Sequence, residues 1–263
     1  MIQQKQGDVP FFYSSILTTP HSFSTKKGGV STGDFTSMNL ISARGDNPES
    51  VMENYQRFHH ALGLSPTQFA RNAQIHSDII RAVTSGDSLE DFTNPTATFP
   101  QGDGLMTQEK NLPLWVYSAD CVPILFHDPV EKAIAAVHSG WRGTALGIAG
   151  KMVEAMKSAY GTKAENLQVA MGPSIGSCCF LCDLDVPQAM KESLGSDAEA
   201  FCHLKENGKY AVDLLGINHL WLTKAGVRQI DDQAPCTACE TEDFWSHRKV
   251  NDRRGSMGGV ICL

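Results

Sequence analysis

The chain has 263 residues, enough to bury a full core as one large domain or two small ones. A formal net charge of −7 excludes any global pull toward nucleic acid or anionic membrane, and no run of about 18 apolar residues is present to span a bilayer. The opening residues, Met1-Ile-Gln-Gln-Lys-Gln-Gly-Asp8, lack the apolar core of a secretory signal, so a cytoplasmic location is expected, with the cysteines reduced.

In chain order, residues 1–20 read as an N-terminal extension or first strand of a single catalytic domain spanning 1–263. Gly28-Gly-Val-Ser-Thr-Gly33 is a turn-rich loop after a polar strand. Asn47-Pro48 starts a helix, with Asn as N-cap and Pro in the first turn, that runs to about Leu62 and stops at Gly63. Residues 84–113 are rich in Gly, Asp, Asn, Pro and Thr and read as long loops bordering a pocket. Two apolar runs follow, Leu114–Phe126 and Ala133–Thr144, both strand-like. Pro123 inside the first predicts a strand end or bulge just after Cys121. Thr144 is read as the cap of a helix whose apolar face carries Leu146, Ile148, Ala149, Met152, Val153 and Met156, ending at Gly161. Leu167–Met171 is a strand and Gly172–Gly176 a tight loop. Asp185 is expected to cap a short helix before Gly195, and Asp213 one over Leu214–Ala225 that ends at Gly226. The last strand is Met257–Cys262. This irregular alternation predicts an α/β, more specifically mixed α+β, fold: mixed β-sheets packed with flanking helices in one compact domain.

Three residues carry the chemistry. Cys121 and His138 sit where each apolar run should deliver a side chain to a site, and His76 lies in a similar setting in Ala73-Gln-Ile-His-Ser-Asp-Ile-Ile80. One thiolate and two imidazoles suit zinc with an open fourth position, where bound water has a pKa of about 7. Copper accepts the same trio, usually with a weak axial Met. The nine histidines include no His-x-His pair, so a multicopper cluster is not expected. Without metal, Cys121 as nucleophile and His138 as base would make a cysteine hydrolase. A structural zinc or partner-binding module is a further alternative.

Asp120 beside Cys121 needs a partner if buried. Arg142, in Gly140-Trp-Arg-Gly143, and Arg248, in Phe244-Trp-Ser-His-Arg248, offer planar forks for an oxyanion, and Arg44 is a third candidate. Asn39 is a weaker candidate for hydrogen bonding to substrate. The basic pairs Lys26-Lys27 and Arg253-Arg254 read as solvated surface or as part of an anion pocket. Cys179/Cys182 and Cys236/Cys239 form two C-x-x-C pairs, beside Cys178. Either they hold a second, four-thiolate zinc ion or they are small buried hydrophobes.

Taken in order, Phe23-Ser-Thr-Lys-Lys-Gly-Gly-Val-Ser31, Met38-Asn-Leu40, Gly45-Asp-Asn-Pro48, Gln74-Ile-His-Ser-Asp78, Gly102-Asp-Gly-Leu-Met-Thr107, Ala119-Asp-Cys-Val-Pro123, Ala136-Val-His-Ser-Gly-Trp-Arg-Gly143, Met171-Gly-Pro-Ser-Ile-Gly176, Cys236-Thr237 and Phe244-Trp-Ser-His-Arg248 resemble a known family. It is the multifunctional purine nucleoside phosphorylase family, also called the polyphenol oxidase or laccase-domain family, whose bacterial members include the peptidoglycan editing factor. The resemblance covers roughly residues 21–263, with Ser77 where a glycine is usual. It implies zinc held by His76, Cys121 and His138, and a mixed α/β fold. It further implies phosphorolysis of adenosine, inosine and methylthioadenosine to base and ribose 1-phosphate, together with adenosine deamination. The older copper-oxidase label belongs to the same family. On this view Asp103, then Asp120, would shuttle protons, while Arg142, Arg248 and Arg44 hold phosphate. The expected partners are purine nucleosides and phosphate, with neither nucleic acid nor membrane, and no protein partner is legible.

Overall fold

The computed structural model describes residues 1–64, 69–88 and 99–263. Its first strands are β1 (Ile2–Gln6), β2 (Val9–Tyr13), β3 (His21–Ser24) and β4 (Ile80–Ala82). They are followed by β5 (Gly104–Thr107), β6 (Leu114–Ser118), β7 (Val122–Asp128), β8 (Ala133–Ser139) and β9 (Gln168–Met171). The C-terminal part adds β10 (Leu181–Cys182), β11 (Cys202–Leu204), β12 (Tyr210–Val212), β13 (Gln229–Asp231) and β14 (Met257–Ile261). The helices are α1 (Pro48–Leu62), α2 (Trp141–Ala145), α3 (Ile148–Tyr160), α4 (Asp185–Leu194), α5 (Leu214–Lys224) and α6 (His247–Val250).

The strands form a five-stranded antiparallel sheet, β1-β2-β3-β14-β6, and a mixed six-stranded sheet, β13-β9-β7-β8-β5-β4. In the mixed sheet β13/β9 and β4/β5 are the parallel pairs. A small third sheet, β10-β12-β11, lies among the C-terminal elements. Side-chain alternation stacks the two large sheets. Leu114 and Val116 of β6 pack with Leu125 of β7 and Ile134 and Ala136 of β8 between the sheets. Trp115 and Tyr117 point the other way, onto Val51, Tyr55 and Phe58 of α1. The opposite face of the six-stranded sheet, Val122, Ile124, Phe126 and Val137, meets Met152, Val153 and Met156 of α3 and Ile217 and Leu222 of α5. The result is a mixed α+β domain of four layers: helix, sheet, sheet, helices.

Helix α1 follows the sequence expectation. The Asn47 side chain accepts from the Glu49 N–H, Pro48 opens the helix, and Gly63 ends it at φ 68°. Asp213 likewise caps α5, accepting from the Gly216 N–H at 3.0 Å. Residues 1–20 contain the β1–β2 hairpin, and the strand before the Gly28 loop is fully buried rather than polar-faced.

Several local expectations need correction. Thr144 lies inside the short helix α2, and α3 begins after Gly147, which takes a left-handed φ of 74°. Leu146, placed on the apolar face from the sequence, is exposed at the corner between the two helices. Asp185 is the first residue of α4 and makes no side-chain cap. The stretch 84–113 is not all loop. It contains β5, whose four residues are all buried, while the portion 89–98 lies outside the described residues. Leu114–Phe126 is two strands: β6 ends at Ser118 in one sheet and β7 begins at Val122 in the other. Pro123 opposes His138, and β9 pairs with β7 only from Ile124 onward, so the proline sits at the ladder end, where strands tolerate it.

Candidate metal centre and cleft

The crossing from one sheet to the other creates the site. Between β6 and β7, Asp120 adopts φ 98° and Cys121 follows it. His138 is the penultimate residue of β8, opposite Pro123. His76, at φ 61°, sits in the loop before β4. The ligand-type atoms of His76, Cys121 and His138 lie within 4.8 Å of one another. Cys121 Sγ is 3.9 Å from His76 Nε2, and the two imidazoles meet edge-on with centroids 5.0 Å apart. Gly140 permits this approach: a Cβ there would lie 2.7 Å from His76 Cδ2 and 3.1 Å from Cys121 Sγ.

Asp103, fully buried, organises the trio from behind. Its Oδ1 pairs with His138 Nδ1 at 2.8 Å and accepts the His76 N–H at 3.1 Å. Its Oδ2 accepts the Ser77 N–H at 2.6 Å, the Ser77 hydroxyl at 2.7 Å and the Ile75 N–H at 3.3 Å. The hydroxyl of Ser77 therefore has a use that a glycine there could not fill. With Nδ1 engaged, His138 is left with Nε2 as its donor atom, the usual carboxylate–histidine–metal relay.

Charge follows from these contacts. Burial opposes the charge on His138, but Cys121 and Asp103 outweigh it and raise its pKa to about 9. Burial would push the Cys121 thiol up, yet His138 and His76 bring it down to about 6. Burial also works against the Asp103 carboxylate, but the bonds from His138 and Ser77 hold it at about 2. At neutral pH the metal-free centre is thus a thiolate facing an imidazolium. The donor set fits zinc: three protein atoms of the right types, one already deprotonated and one fixed in orientation.

His76 and Cys121 line both lobes of a cleft. One lobe, about 350 Å³, includes Arg71, Phe99 and Tyr117, with the Arg71 guanidinium 3.6 Å from the Phe99 ring centroid. The other, about 530 Å³, includes Arg142, Arg248 and His247, and Arg44 and Arg254 border both. These volumes are in the range of small-molecule sites.

The sequence-derived candidates divide sharply. Arg142, Arg44 and Arg248 do line the cleft. The Arg142 guanidinium lies 4.2 Å from the Trp141 ring centroid, Arg44 pairs with Asp252 at 2.9 Å, and Arg248 Nη1 donates to Leu181 O at 2.5 Å. Asp120 borders the arginine lobe, but its carboxylate is engaged: Oδ1 accepts from Thr237 Oγ1 at 2.7 Å, and Oδ2 from Ser246 Oγ at 3.0 Å and the Arg248 N–H at 2.7 Å. Asp103 lies behind the ligands, outside the residues lining the cleft. Both of its oxygens are engaged by His138 and the His76–Ser77 loop, so the geometry supports a positioning role in place of the expected proton shuttle.

Asn39 also needs correction. It is fully buried, donates to Ile41 O and Asp46 Oδ2 at 2.8 Å each, and accepts from the N–H groups of Ile41 and Ser256. Its amide holds loops together and has no capacity left for substrate. Arg254, which the sequence left between solvated surface and anion pocket, is 6% exposed yet on the cleft wall, with its Nε unpaired among the described residues. Burial and the neighbouring Arg44 lower its pKa to about 10, against the pull of Asp120 and Cys121. Its signal was Arg253-Arg254-Gly255-Ser256 entering an apolar strand, a place where one arginine of a pair must turn inward. Arg71, a lone arginine beside the buried Phe69-Ala70, carried no such signal and was missed.

The profile of a family described as multi-copper polyphenol oxidoreductase laccase matches residues 20–263. The chain is 35% identical over 241 residues to the purine nucleoside phosphorylase YlmD of Geobacillus stearothermophilus, covering 91% of this chain and 87% of that protein. It is 34% identical over 258 residues to a purine nucleoside phosphorylase of Deinococcus radiodurans, covering 97% and 93%. The crystal structure of YlmD from G. stearothermophilus superposes with a TM-score of 0.92 at 32% identity, covering 99% of this chain and 98% of that one.

Proposed function

From the premise that the chain belongs to the multi-copper polyphenol oxidoreductase laccase family, we propose that it is a zinc-dependent purine nucleoside phosphorylase. It would convert adenosine, inosine or methylthioadenosine and phosphate to free base and ribose 1-phosphate. The carrying observation is the convergence of His76, Cys121 and His138 within 4.8 Å at the junction of an arginine-lined lobe and an aromatic lobe. The names of the two relatives support the same reaction.

Zinc bound to His76, Cys121 and His138 would supply Lewis acidity at one oxygen of substrate or water. The chain's own groups do the rest. Arg44, Arg142, Arg248 and Arg254 converge on the larger lobe, and their mutual repulsion would be relieved by an anion, which supports phosphate as its occupant. Phe99 and Arg71, with the buried Tyr117 behind them, would form a surface on which a purine stacks. Asp103 acts as a positioning residue that fixes the His138 tautomer and the His76 loop. Asp120 positions the turn carrying Cys121 by tying it to Thr237, Ser246 and the Arg248 backbone. Adenosine deamination at C6 is proposed as the second reaction of the same centre, because it needs water, which replaces the amino group as ammonia leaves, oriented beside the Lewis acid that zinc would supply.

The test is to incubate zinc-loaded protein with adenosine or inosine, with and without phosphate, and to separate the products chromatographically. Free base formed only with phosphate supports phosphorolysis, and inosine formed from adenosine without phosphate supports deamination. Stoichiometric zinc with neither product would end the proposal. A second reading has its own observation: the Cys121 thiolate, His138 imidazolium and Asp103 also form a nucleophile–base–orienter row. That reading predicts inactivation by alkylation and indifference to chelators. Oxidation of phenols through several coppers finds less support, because among the described residues the other metal-competent group contains four cysteines and no histidine.

A further inference from the structure

The second group is Cys178, Cys179, Cys236 and Cys239, whose sulfurs all lie within 4.8 Å of one another. Cys239 Sγ is 3.5 Å from both Cys178 Sγ and Cys179 Sγ. A tetrahedron of thiolates around zinc, with Zn–S of about 2.3 Å, has sulfur–sulfur edges of about 3.8 Å. The grouping differs from the C-x-x-C reading of the sequence. Cys182 turns away to Tyr210 O at 3.5 Å, and the adjacent Cys178 takes its place.

The backbone around the sulfurs is arranged as a cradle. Cys236 opens a turn in which the N–H groups of Cys239 and Glu240 donate to Cys236 O at 3.1 and 3.0 Å, which swings Cys239 back over it. The Gly176 N–H donates to Cys236 Sγ at 3.1 Å, the kind of bond that stabilises a metal-bound thiolate. A Cβ at residue 176 would lie 3.2 Å from Cys178 Sγ and 3.4 Å from Cys236 Cβ, so glycine keeps the space open.

We propose that these four cysteines bind a zinc ion that is separate from the catalytic centre and structural in role. Binding forms four Zn–S bonds, expels the protons of whichever thiols still carry them, and involves no change of oxidation state. The ion would join two loops 61 positions apart in sequence, an extent of chain whose closure strongly restricts the unfolded ensemble. Both loops reach the cleft. Thr237, next to Cys236, bonds Asp120, and the Ile175 N–H donates to Asp120 O at 2.8 Å. Arg248 Nη1 donates to Cys179 O at 3.4 Å and to Leu181 O. The ion therefore fastens the wall made by Ile175, Phe180 and Leu181 to the turn that delivers Cys121.

The experiment measures zinc per chain after reducing purification, zinc loading and desalting, then repeats the measurement with cobalt by visible spectroscopy. Two ions per chain are expected for the parent. Cys121→Ser should retain one ion, with the strong charge-transfer spectrum of four-thiolate cobalt. Cys236→Ser should also retain one, without that spectrum. Cys178→Ser, at an exposed position, repeats the second result if Cys236→Ser does not fold. Unchanged zinc content in both Cys236→Ser and Cys178→Ser would overturn the inference, as would a four-thiolate cobalt spectrum that persists in Cys236→Ser. Either outcome leaves the His76–Cys121–His138 reading standing. Loss of zinc from the Cys121→Ser site alone tests that reading separately.

Discussion

Replacing Asp103 by Asn tests the relay behind the candidate metal centre most directly. The carboxylate accepts five bonds: His138 Nδ1 and the His76 N–H on one oxygen, and the Ser77 N–H, Ser77 hydroxyl and Ile75 N–H on the other. Asn has one acceptor oxygen and must turn its NH₂ toward one of these groups. If the oxygen stays with His138, the hydroxyl of Ser77 can reverse and accept, but the N–H groups of Ser77 and Ile75 lose their partner. At about 1–3 kcal/mol for each unsatisfied donor, with water reaching part of this loop, destabilisation of about 2–4 kcal/mol is expected. If the oxygen faces Ser77, the NH₂ forces His138 into the opposite tautomer and removes its free nitrogen lone pair from the centre. In both cases zinc affinity should fall about 10–100-fold, the usual effect of removing a partner behind a ligand. Competition against a chromophoric chelator measures the affinity, and urea unfolding of the metal-free protein measures stability. An Asp103→Asn protein with a zinc Kd within about twofold of the parent and an unchanged urea midpoint would refute the role assigned to the carboxylate.

Zinc affinity should depend on pH with a definite sign. His138 holds a proton up to about 9 in the metal-free protein and must lose it to ligate, so affinity should rise about tenfold per pH unit from about 6 and level off near 9. A flat profile in metal-buffered titrations would contradict the imidazolium. Arg254→Met should raise the KM for phosphate by about 10–100-fold, the loss of one charge-assisted bond, with a much smaller effect on nucleoside KM; equal effects on both would move phosphate elsewhere. Gly140→Ala should reduce zinc binding, because the new Cβ would press on His76 and Cys121, while circular dichroism stays unchanged. Gly172→Ala should instead lower the melting temperature outright, since its Cβ would fall 2.2 Å from the Phe23 ring in the packed layer between the sheets.

Much of the fold was legible because local chemistry and burial agree. Asn47, Pro48 and Gly63 delimit α1, and the buried Val51, Tyr55 and Phe58 keep its period. Reading failed where a short apolar run carried no boundary signal. β5 is four residues, Gly-Leu-Met-Thr, and its strand identity comes from pairing with β4 and β8 rather than from its own pattern. The corner between α2 and α3 was missed because Gly147 interrupts a continuous helical periodicity with one left-handed residue. At the site, His76, Cys121 and His138 stood out by residue type, and the structure brings them together. The roles of Asp103, Asp120 and Asn39 were not legible, because whether a polar side chain faces a cleft or its own scaffold depends on contacts distant in sequence. Asp120 meets Ser246 across 126 positions and Asn39 meets Ser256 across 217.

The span between Ser118 and Val122 leaves the chain only Ala119, Asp120 and Cys121 with which to change sheets. One inserted residue there would shift the thiol by about 3.3 Å along the strand direction, whereas a coordination bond tolerates about 0.2 Å. Both hydrophobic layers could survive such an insertion untouched. Length at this crossing is therefore a gauge of ligand placement that thermal stability does not read, and a well-folded protein with weakened metal binding is what a single-codon insertion at that point should yield.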